Sequence, residues 1–231
     1  MTYGTERRLG ESTLADDFPQ ADGFPPLTDL TAARLTPCDV AHLLRTYLEP
    51  ACFPPAVHRL AQRHLLALVG PEATGRRLGA IALLSRMPLA EGSITILSPV
   101  TTVAGLVARM PFEPGRAYLL PDWPLAGQPL TSLAHALAEI GAYLVVTHTP
   151  PPRSAEPTEL HHPWSPPPGA GLFDLCLATF GLPAHRHPAD VATARELAAT
   201  LVSPAAIVAL ATQITRLDTP LAGLLPAEEG A

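Results

Sequence analysis

The chain has 231 residues, of which 47% are hydrophobic and 16% are charged, and its formal net charge at pH 7 is −6. This length and apolar content suit one sizeable α/β domain with appendages. The acidic balance argues against a nucleic-acid-binding face. All fifteen basic residues are arginines, so no lysine can serve a phosphate group. Because the charged fraction is low, we expect a protein partner to cover part of the surface.

The cysteines Cys38, Cys52 and Cys176 form no C-x-x-C pair, which argues against a disulfide framework. The histidines lack the tight paired spacing of a structural zinc site, and we predict no metal site. We find no signal peptide and no apolar run long enough to span a membrane. These observations predict a cytoplasmic protein without a membrane partner.

The first third of the chain leads towards a buried strand. Residues 1–36 are rich in Thr, Asp, Pro and Gly, and we predict a flexible arm. Thr36 and Pro37 have the N-cap and first-turn chemistry of a helix, and its apolar stripe predicts that it continues until just before Pro50. A second helix is predicted over residues 54–63.

The next stretch has the order strand, glycine-bounded loop, helix. Leu65–Val69 has the length and apolar content of a buried parallel strand, and residues 78–84 are rich in Ala and Leu, as a packed helix is. Gly70 and Gly75 between them have the spacing of the phosphate-binding pattern G-x-x-x-x-G-K-[ST].

The last two positions of that pattern are changed. Arg76 replaces the lysine, and Arg77 replaces the Ser or Thr whose hydroxyl holds magnesium. Backbone N–H groups at a helix start can still bind phosphate oxygens, but a planar guanidinium replaces the compact ammonium. We predict a degenerate nucleotide site that includes Gly70, Thr74, Gly75, Arg76 and Arg77. The alternative is a plain Gly-Pro turn between a strand and a helix.

Further candidate residues of the nucleotide site lie at the ends of two later strands. Asp122 ends an apolar strand, as a magnesium-holding Walker B carboxylate does, although Trp123 stands where a second acid is usual. Thr147 and His148, at the end of a later strand, are candidate sensors of a terminal phosphate. The alternative interpretation is that each of these candidates is an ordinary turn residue at the end of its strand. The remaining elements of this part are predicted as strands at 94–97, 116–120, 143–146 and 159–162 and helices at 101–109 and Leu130–Ile140.

The C-terminal part reads as a small helical region over residues 164–217, with helices at 172–180, 190–201 and 204–215. It follows the Pro-rich residues 150–168. We predict an α/β domain over 37–163 before it and a frayed tail at 218–231 after it.

Several motifs together resemble a known family. They are Tyr47-Leu48-Glu49-Pro50 with Phe53 before the loop strand, Thr74-Gly75-Arg76 in the loop, and the strands YLLPDW and AYLVVT separated by a helix. Over residues 37–217 the chain resembles the P-loop modules of the signal-transducing ATPases with numerous domains (STAND), particularly the divergent actinobacterial type, which fits the arginine-only composition.

This resemblance implies a three-layer α/β/α sandwich whose parallel sheet of about five strands has the order 5-1-4-3-2. It also implies that the helical region corresponds to the lid of an AAA-type ATPase. Members of the family bind ATP or GTP and act as switches in signalling or defence.

The sequence leaves the function open between a scaffold or regulatory protein-interaction module and a nucleotide-binding switch with slow or no hydrolysis. An active NTPase that uses Arg76 in place of lysine is a third alternative, and a homo-oligomer is possible. ATP or GTP is the candidate cofactor, with a doubtful need for magnesium. A salt bridge from Arg77 to Asp122 would fill the magnesium position and favour the scaffold. For a scaffold, we expect Arg76→Ala to change stability by no more than about 1 kcal/mol, as at a surface position.

Overall fold

A computed structural model describes residues 33–98, 106, 112–123, 130–149, 159–183 and 187–216. Its strands are β1 (Arg34–Leu35), β2 (Leu65–Val69), β3 (Ile94–Ile96), β4 (Ala117–Leu120), β5 (Tyr143–His148) and β6 (His161–Pro163). Its helices are α1 (Pro37–Leu43), α2 (Phe53–Arg63), α3 (Arg76–Ser85), α4 (Leu130–Ile140), α5 (Gly169–Phe180), α6 (Pro188–Thr200) and α7 (Pro204–Arg216). Residues 1–32 of the predicted arm, the predicted helix 101–109 apart from Leu106, and the tail 218–231 lie outside the described residues.

The strands form one sheet with the order β1-β3-β4-β5-β2-β6. Strands β2 to β6 run parallel to one another. When β2 is counted as the first of these five strands, their order from the β6 edge is 5-1-4-3-2, the order that the resemblance implied. Strand β1 adds an antiparallel edge, because Arg34 pairs with Thr95 and Leu35 with Ile94. Arg34 and Leu35 belong to the stretch that the sequence analysis assigned to the flexible arm.

One face of the sheet packs on α4. Its core consists of alternate strand residues and one stripe of the helix: Leu65, Ala67, Tyr118, Leu120, Leu144, Val146, Leu130, Leu133, Ala134 and Leu137. The intervening strand residues point to the other face, because side chains alternate along a strand. Helix α3 contacts β2, β3, β4 and β5, and none of its described residues belongs to the α4 core. Helix α3 is therefore held against the four central strands of the sheet.

The helix predicted to reach Pro50 is shorter than expected. It has the predicted cap, since the Thr36 hydroxyl accepts the Asp39 N–H and the Asp39 carboxylate accepts the Thr36 N–H. It ends at Leu43 and continues only as a short 3₁₀ turn, Leu44–Thr46. Tyr47 is extended and packs edge-on against Phe53, with ring centroids 5.8 Å apart. Tertiary packing therefore overrides the helical pattern here.

Helices α5, α6 and α7, called the helical region below, share an apolar core of Leu172, Phe173, Cys176, Ala194, Ala198, Ile207, Ala211 and Ile214. Helix α5 begins three residues before the predicted start. Leu48, from the segment that joins α1 to α2, packs against this core. In the described ranges, no helix has the length and apolar content needed to cross a membrane.

Candidate functional site

Residues 70–75, called the loop below, join the end of β2 to the start of α3. Ala73 and Gly75 have positive φ angles of 58° and 80°, and the Gly75 N-cap gives α3 no side-chain cap. The Thr74 side chain is buried, and its hydroxyl donates to the carbonyl of Pro71 at 2.9 Å. The predicted strand, loop and helix are therefore present, with the Thr74 hydroxyl bound inside the loop.

Trp164, directly after β6, packs behind the loop. Its N–H donates to the Val69 carbonyl at 2.7 Å. A Cβ at Gly70 would lie 2.6 Å from the Trp164 carbonyl oxygen, and a Cβ at Gly79 would lie 2.1 Å from the indole ring. Real Cβ atoms essentially never make contacts under 3.0 Å. The chain's own packing therefore requires glycine at both positions.

The Arg76 side chain is buried, with the residue only 7% exposed. Its Nη1 donates to the carbonyl oxygens of Gly70 and His148, and its Nη2 donates to the Thr149 hydroxyl at 2.6 Å. Gly70 follows β2, and His148 is the last residue of β5. The guanidinium therefore spans the carboxyl ends of two adjacent parallel strands.

Burial is the main electrostatic influence on this guanidinium. It lowers the pKa of Arg76, while the charges of Asp122 and Glu72 act in the opposite direction. Because an arginine side chain stays protonated in proteins, Arg76 places a positive charge at the strand ends. Its oxygen partners compensate part of the cost of burying that charge.

Arg77 turns to a different partner and forms an ion pair with the Asp122 carboxylate. The two side chains are 32% and 52% exposed, so this pair lies much nearer to solvent than Arg76 does. Arg77, which replaces the hydroxyl residue that would hold magnesium, thus binds Asp122, the carboxylate that the sequence predicted as a magnesium ligand. No group of three metal-ligating side chains occurs in the part of the chain that the structure describes.

Thr147 lies within β5, which extends two residues beyond its predicted end to His148, and is fully buried. Its hydroxyl oxygen accepts the Asp122 N–H, and its carbonyl accepts the Trp123 N–H, each at 3.0 Å. Asp122 has a positive φ of 50°. Thr147 therefore holds the backbone that carries the Asp122 carboxylate.

The structure brings Gly70, Arg76, Arg77, Asp122 and Thr147 together at the carboxyl edge of β2, β4 and β5. Sequence reasoning gave no role to Thr149, which accepts from Arg76, or to Trp164, which packs behind the loop. The sequence did contain one indication of the Trp164 contact. Gly79 lies inside the predicted helix, and a glycine inside a helix often marks a close approach by another group.

No protein-family model matches the chain, and no curated protein is significantly similar to it. Among solved structures, the chain is similar to one from "Structure of C. elegans PCH-2". That similarity has a TM-score of 0.42 and 11% sequence identity, and it covers 79% of this chain and 67% of the other. Similarity at this level assigns neither a family nor an activity.

Proposed function

We propose that this protein is a catalytically degenerate P-loop NTPase-like protein of the STAND type. Its fold, a three-layer sandwich around the parallel sheet, serves as a scaffold or regulatory protein-interaction module in signalling or defence. The strand order 5-1-4-3-2 and the strand–loop–helix unit at its centre support the P-loop assignment. The low charged fraction supports a protein partner.

The observation that carries the proposal is the position of the Arg76 side chain. A cation that served a phosphate would extend towards the ligand, whereas the Arg76 guanidinium donates to three oxygen atoms of its own chain. A nucleotide phosphate would have to replace these three hydrogen bonds. The site is therefore occupied by the protein itself.

The Arg77–Asp122 ion pair supports the same conclusion for magnesium. A divalent ion is bound by oxygen ligands, and here the candidate carboxylate is paired with a cation. Magnesium would have to bind beside the positive charge of Arg77. Without the ion, the site lacks the metal that bridges the phosphate oxygens and neutralises the charge that develops during phosphoryl transfer.

The glycines have an explanation that needs no ligand. In a phosphate-binding loop, glycine lets the backbone approach the ligand closely. Here the Gly70 backbone approaches the Trp164 carbonyl, and Gly75 adopts a positive φ beside Pro204. The glycine pattern is consistent with a structural loop.

A nucleotide-binding switch with slow or no hydrolysis is the second candidate. It is favoured by the uncapped start of α3, where N–H groups attract anions, and by the exposure of the Arg77–Asp122 pair. In this candidate the phosphates of ATP or GTP replace the Asp122 carboxylate as the partner of Arg77.

Calorimetric titration with ATP, ADP and GTP, with and without magnesium, tests the proposal. We expect no binding by the wild-type protein at millimolar nucleotide. The double variant Arg76→Lys/Arg77→Thr restores the pattern and is expected to gain magnesium-dependent binding, and Arg86→Lys, outside the loop, serves as the matched control. Micromolar, magnesium-dependent binding by the wild type would contradict the scaffold and favour the switch.

A further inference from the structure

We propose that Trp164 locks the loop to the helical region, so that the two open as one unit. A partner that displaces α5–α7 would thereby release the buried guanidinium of Arg76. This inference rests on the proposed function in one respect, because it takes the loop closed by Arg76 as the resting state. We call these contacts the lock: those of Trp164 with Gly70 and Gly79, and that of Pro204 with Gly75.

On the loop side, Trp164 contacts both ends of the strand–loop–helix unit. Its N–H binds the last carbonyl of β2, its own carbonyl lies against Gly70, and its indole ring lies against Gly79 in α3. The ring also packs edge-on against Phe53 of α2, with centroids 6.5 Å apart. The loop therefore cannot shift relative to β2 and α3 without a movement of Trp164.

On the other side, Trp164 is joined to the helical region by a short and stiff connection. Ser165 and three consecutive prolines lead directly to Gly169, the first residue of α5, and each proline fixes its own φ. A Cβ at Gly169 would lie 2.0 Å from the Ala198 carbonyl oxygen of α6. The start of α5 therefore lies directly against α6, and only four residues, three of them prolines, separate this contact from Trp164.

A second contact joins the same two parts. Pro204, the first residue of α7, has its Cγ 3.3 Å from the position of a Cβ at Gly75. Gly75 is the N-cap of α3 and immediately precedes Arg76. The helical region therefore contacts the loop through α7 as well as through the Trp164 connection.

These contacts make the state of the site depend on the position of the helical region. When α5–α7 move away, Trp164 and Pro204 leave Gly70, Gly79 and Gly75. The loop and the start of α3 then lose the packing that holds Arg76 on the strand ends. A partner that binds the displaced helical region stabilises the open loop by its differential affinity for the two states.

Native-state hydrogen exchange on the full chain tests the lock. The variant Gly79→Ala puts a methyl group where the indole ring lies. We expect exchange to accelerate by about tenfold, a typical coupling between two sites, at the Gly70 and Trp164 amides and equally in α5–α7. Amides of β4 and β5 should keep their wild-type rates, which separates opening of the lock from global unfolding.

Gly171→Ala in α5 is the matched control for the change in helix propensity. Its added methyl would meet only the flexible end of the Leu48 side chain, at 3.2 Å. Because alanine favours a helix over glycine by about 1 kcal/mol, we expect exchange rates equal to those of wild type or up to about fivefold slower, without acceleration. Acceleration in Gly79→Ala that is confined to α3 and Trp164, with α5–α7 unchanged, would overturn the lock.

A reciprocal variant keeps the test decisive if Gly79→Ala fails to fold. Ala211→Gly removes a buried methyl group from α7 in the core of the helical region. Coupling is reciprocal, so the Gly70 and Trp164 amides should accelerate by the same factor as those of α7. Unchanged loop amides would refute the lock. Nucleotide binding by the wild type would contradict the proposed function and leave these exchange results unaffected.

Discussion

The inner and outer halves of the site contain the same type of side chain in two different environments. The inner half is Arg76 with Gly70, His148 and Thr149, and the outer half is Arg77 with Asp122. Arg76 is 7% exposed and donates to three oxygens, whereas the Arg77 side chain is 32% exposed and pairs with a half-exposed carboxylate. Consecutive helix residues point about 100° apart, so one arginine faces the strand ends and the next faces the solvent edge.

This difference shows that the two substitutions in the loop pattern have separate consequences. The inner arginine is a structural element, because its removal would take a donor from the buried Gly70 carbonyl and from two further oxygens at the strand ends. The outer arginine is an electrostatic element, because its partner lies where water and salt compete for the charges. If the two halves differ in this way, substitutions in the inner half should cost more stability than substitutions in the outer half.

The largest expected effect is that of Arg76→Ala. The variant removes the guanidinium donor from the buried Gly70 carbonyl, from the His148 carbonyl, which keeps the Gly70 N–H, and from the Thr149 hydroxyl. We expect a loss of about 3 kcal/mol in the free energy of unfolding, measured by urea denaturation. The expectation of no more than about 1 kcal/mol for this variant, made for a surface side chain, is revised because Arg76 is buried.

Arg86→Ala is the matched control for that experiment. Arg86 pairs with Glu49, and their side chains are 61% and 42% exposed. We expect a change of about 0.5 kcal/mol or less. Equal effects of the two substitutions would contradict the structural role of Arg76.

The next largest effect is expected for Gly70→Ala, which tests the packing behind the inner half. The added methyl group would meet the Trp164 backbone carbonyl, which cannot rotate away as a side chain can. We expect a loss of about 2 kcal/mol in thermal or urea unfolding without any nucleotide. A variant as stable as wild type would mean that Gly70 is not required by packing, and would return the glycine to a ligand-binding role.

A smaller effect is expected in the outer half. Asp122→Asn removes the negative charge but keeps a residue type that tolerates the positive φ of 50°. We expect a loss of less than about 1 kcal/mol, and the difference from wild type should shrink in high salt. A loss as large as that of Arg76→Ala would erase the distinction between the two halves.

The last effect depends on pH and concerns strand β6, which leads into Trp164. His162 is buried, its Nε2–H donates to the Cys52 carbonyl at 2.9 Å, and burial lowers the pKa of His162. The unfolded chain therefore takes up the proton first, near the ordinary pKa of about 6.5, and stability falls as the pH is lowered from 7 towards 5. The loss amounts to about 1.4 kcal/mol for each pKa unit of lowering.

The variant His162→Gln should reduce this fall in stability. Some dependence remains, because burial and the charge of His148 also lower the pKa of His161. His135→Gln, at an exposed position, is the control and should leave the pH profile unchanged. A profile that is identical in all three proteins would show that His162 does not contribute.

The parallel strands were predictable because their apolar runs are short, buried and bounded by turn residues. Leu65–Val69 was predicted with the bounds that the structure has. Strand β1 was not, because two residues have no periodicity and Arg34 and Leu35 are ordered by the edge of β3. The end of α1 was missed because Tyr47 and Leu48 leave the helix to pack against distant elements.

Within the candidate site, the sequence named residues that the structure brings together but not all of what they do. It raised the Arg77–Asp122 pair only as one possible outcome, and the structure contains this pair. The burial of Arg76 did not follow, because it depends on two carbonyls whose directions are set by the tertiary fold. The role of Trp164 depends on a contact between residues 85 positions apart, Gly79 and Trp164, which local pattern reading does not detect.

The most direct test of whether the Arg76 guanidinium occupies the site is nitrogen-15 NMR of the arginine side chains, recorded with and without magnesium-ATP. The side-chain N–H groups of Arg76 should exchange slowly with water, and their resonances should not move when nucleotide is added, while those of the exposed Arg86 exchange fast. Arg76 groups that exchange as fast as those of Arg86 and shift on addition of nucleotide would contradict the account, because the guanidinium would then be free to bind a ligand.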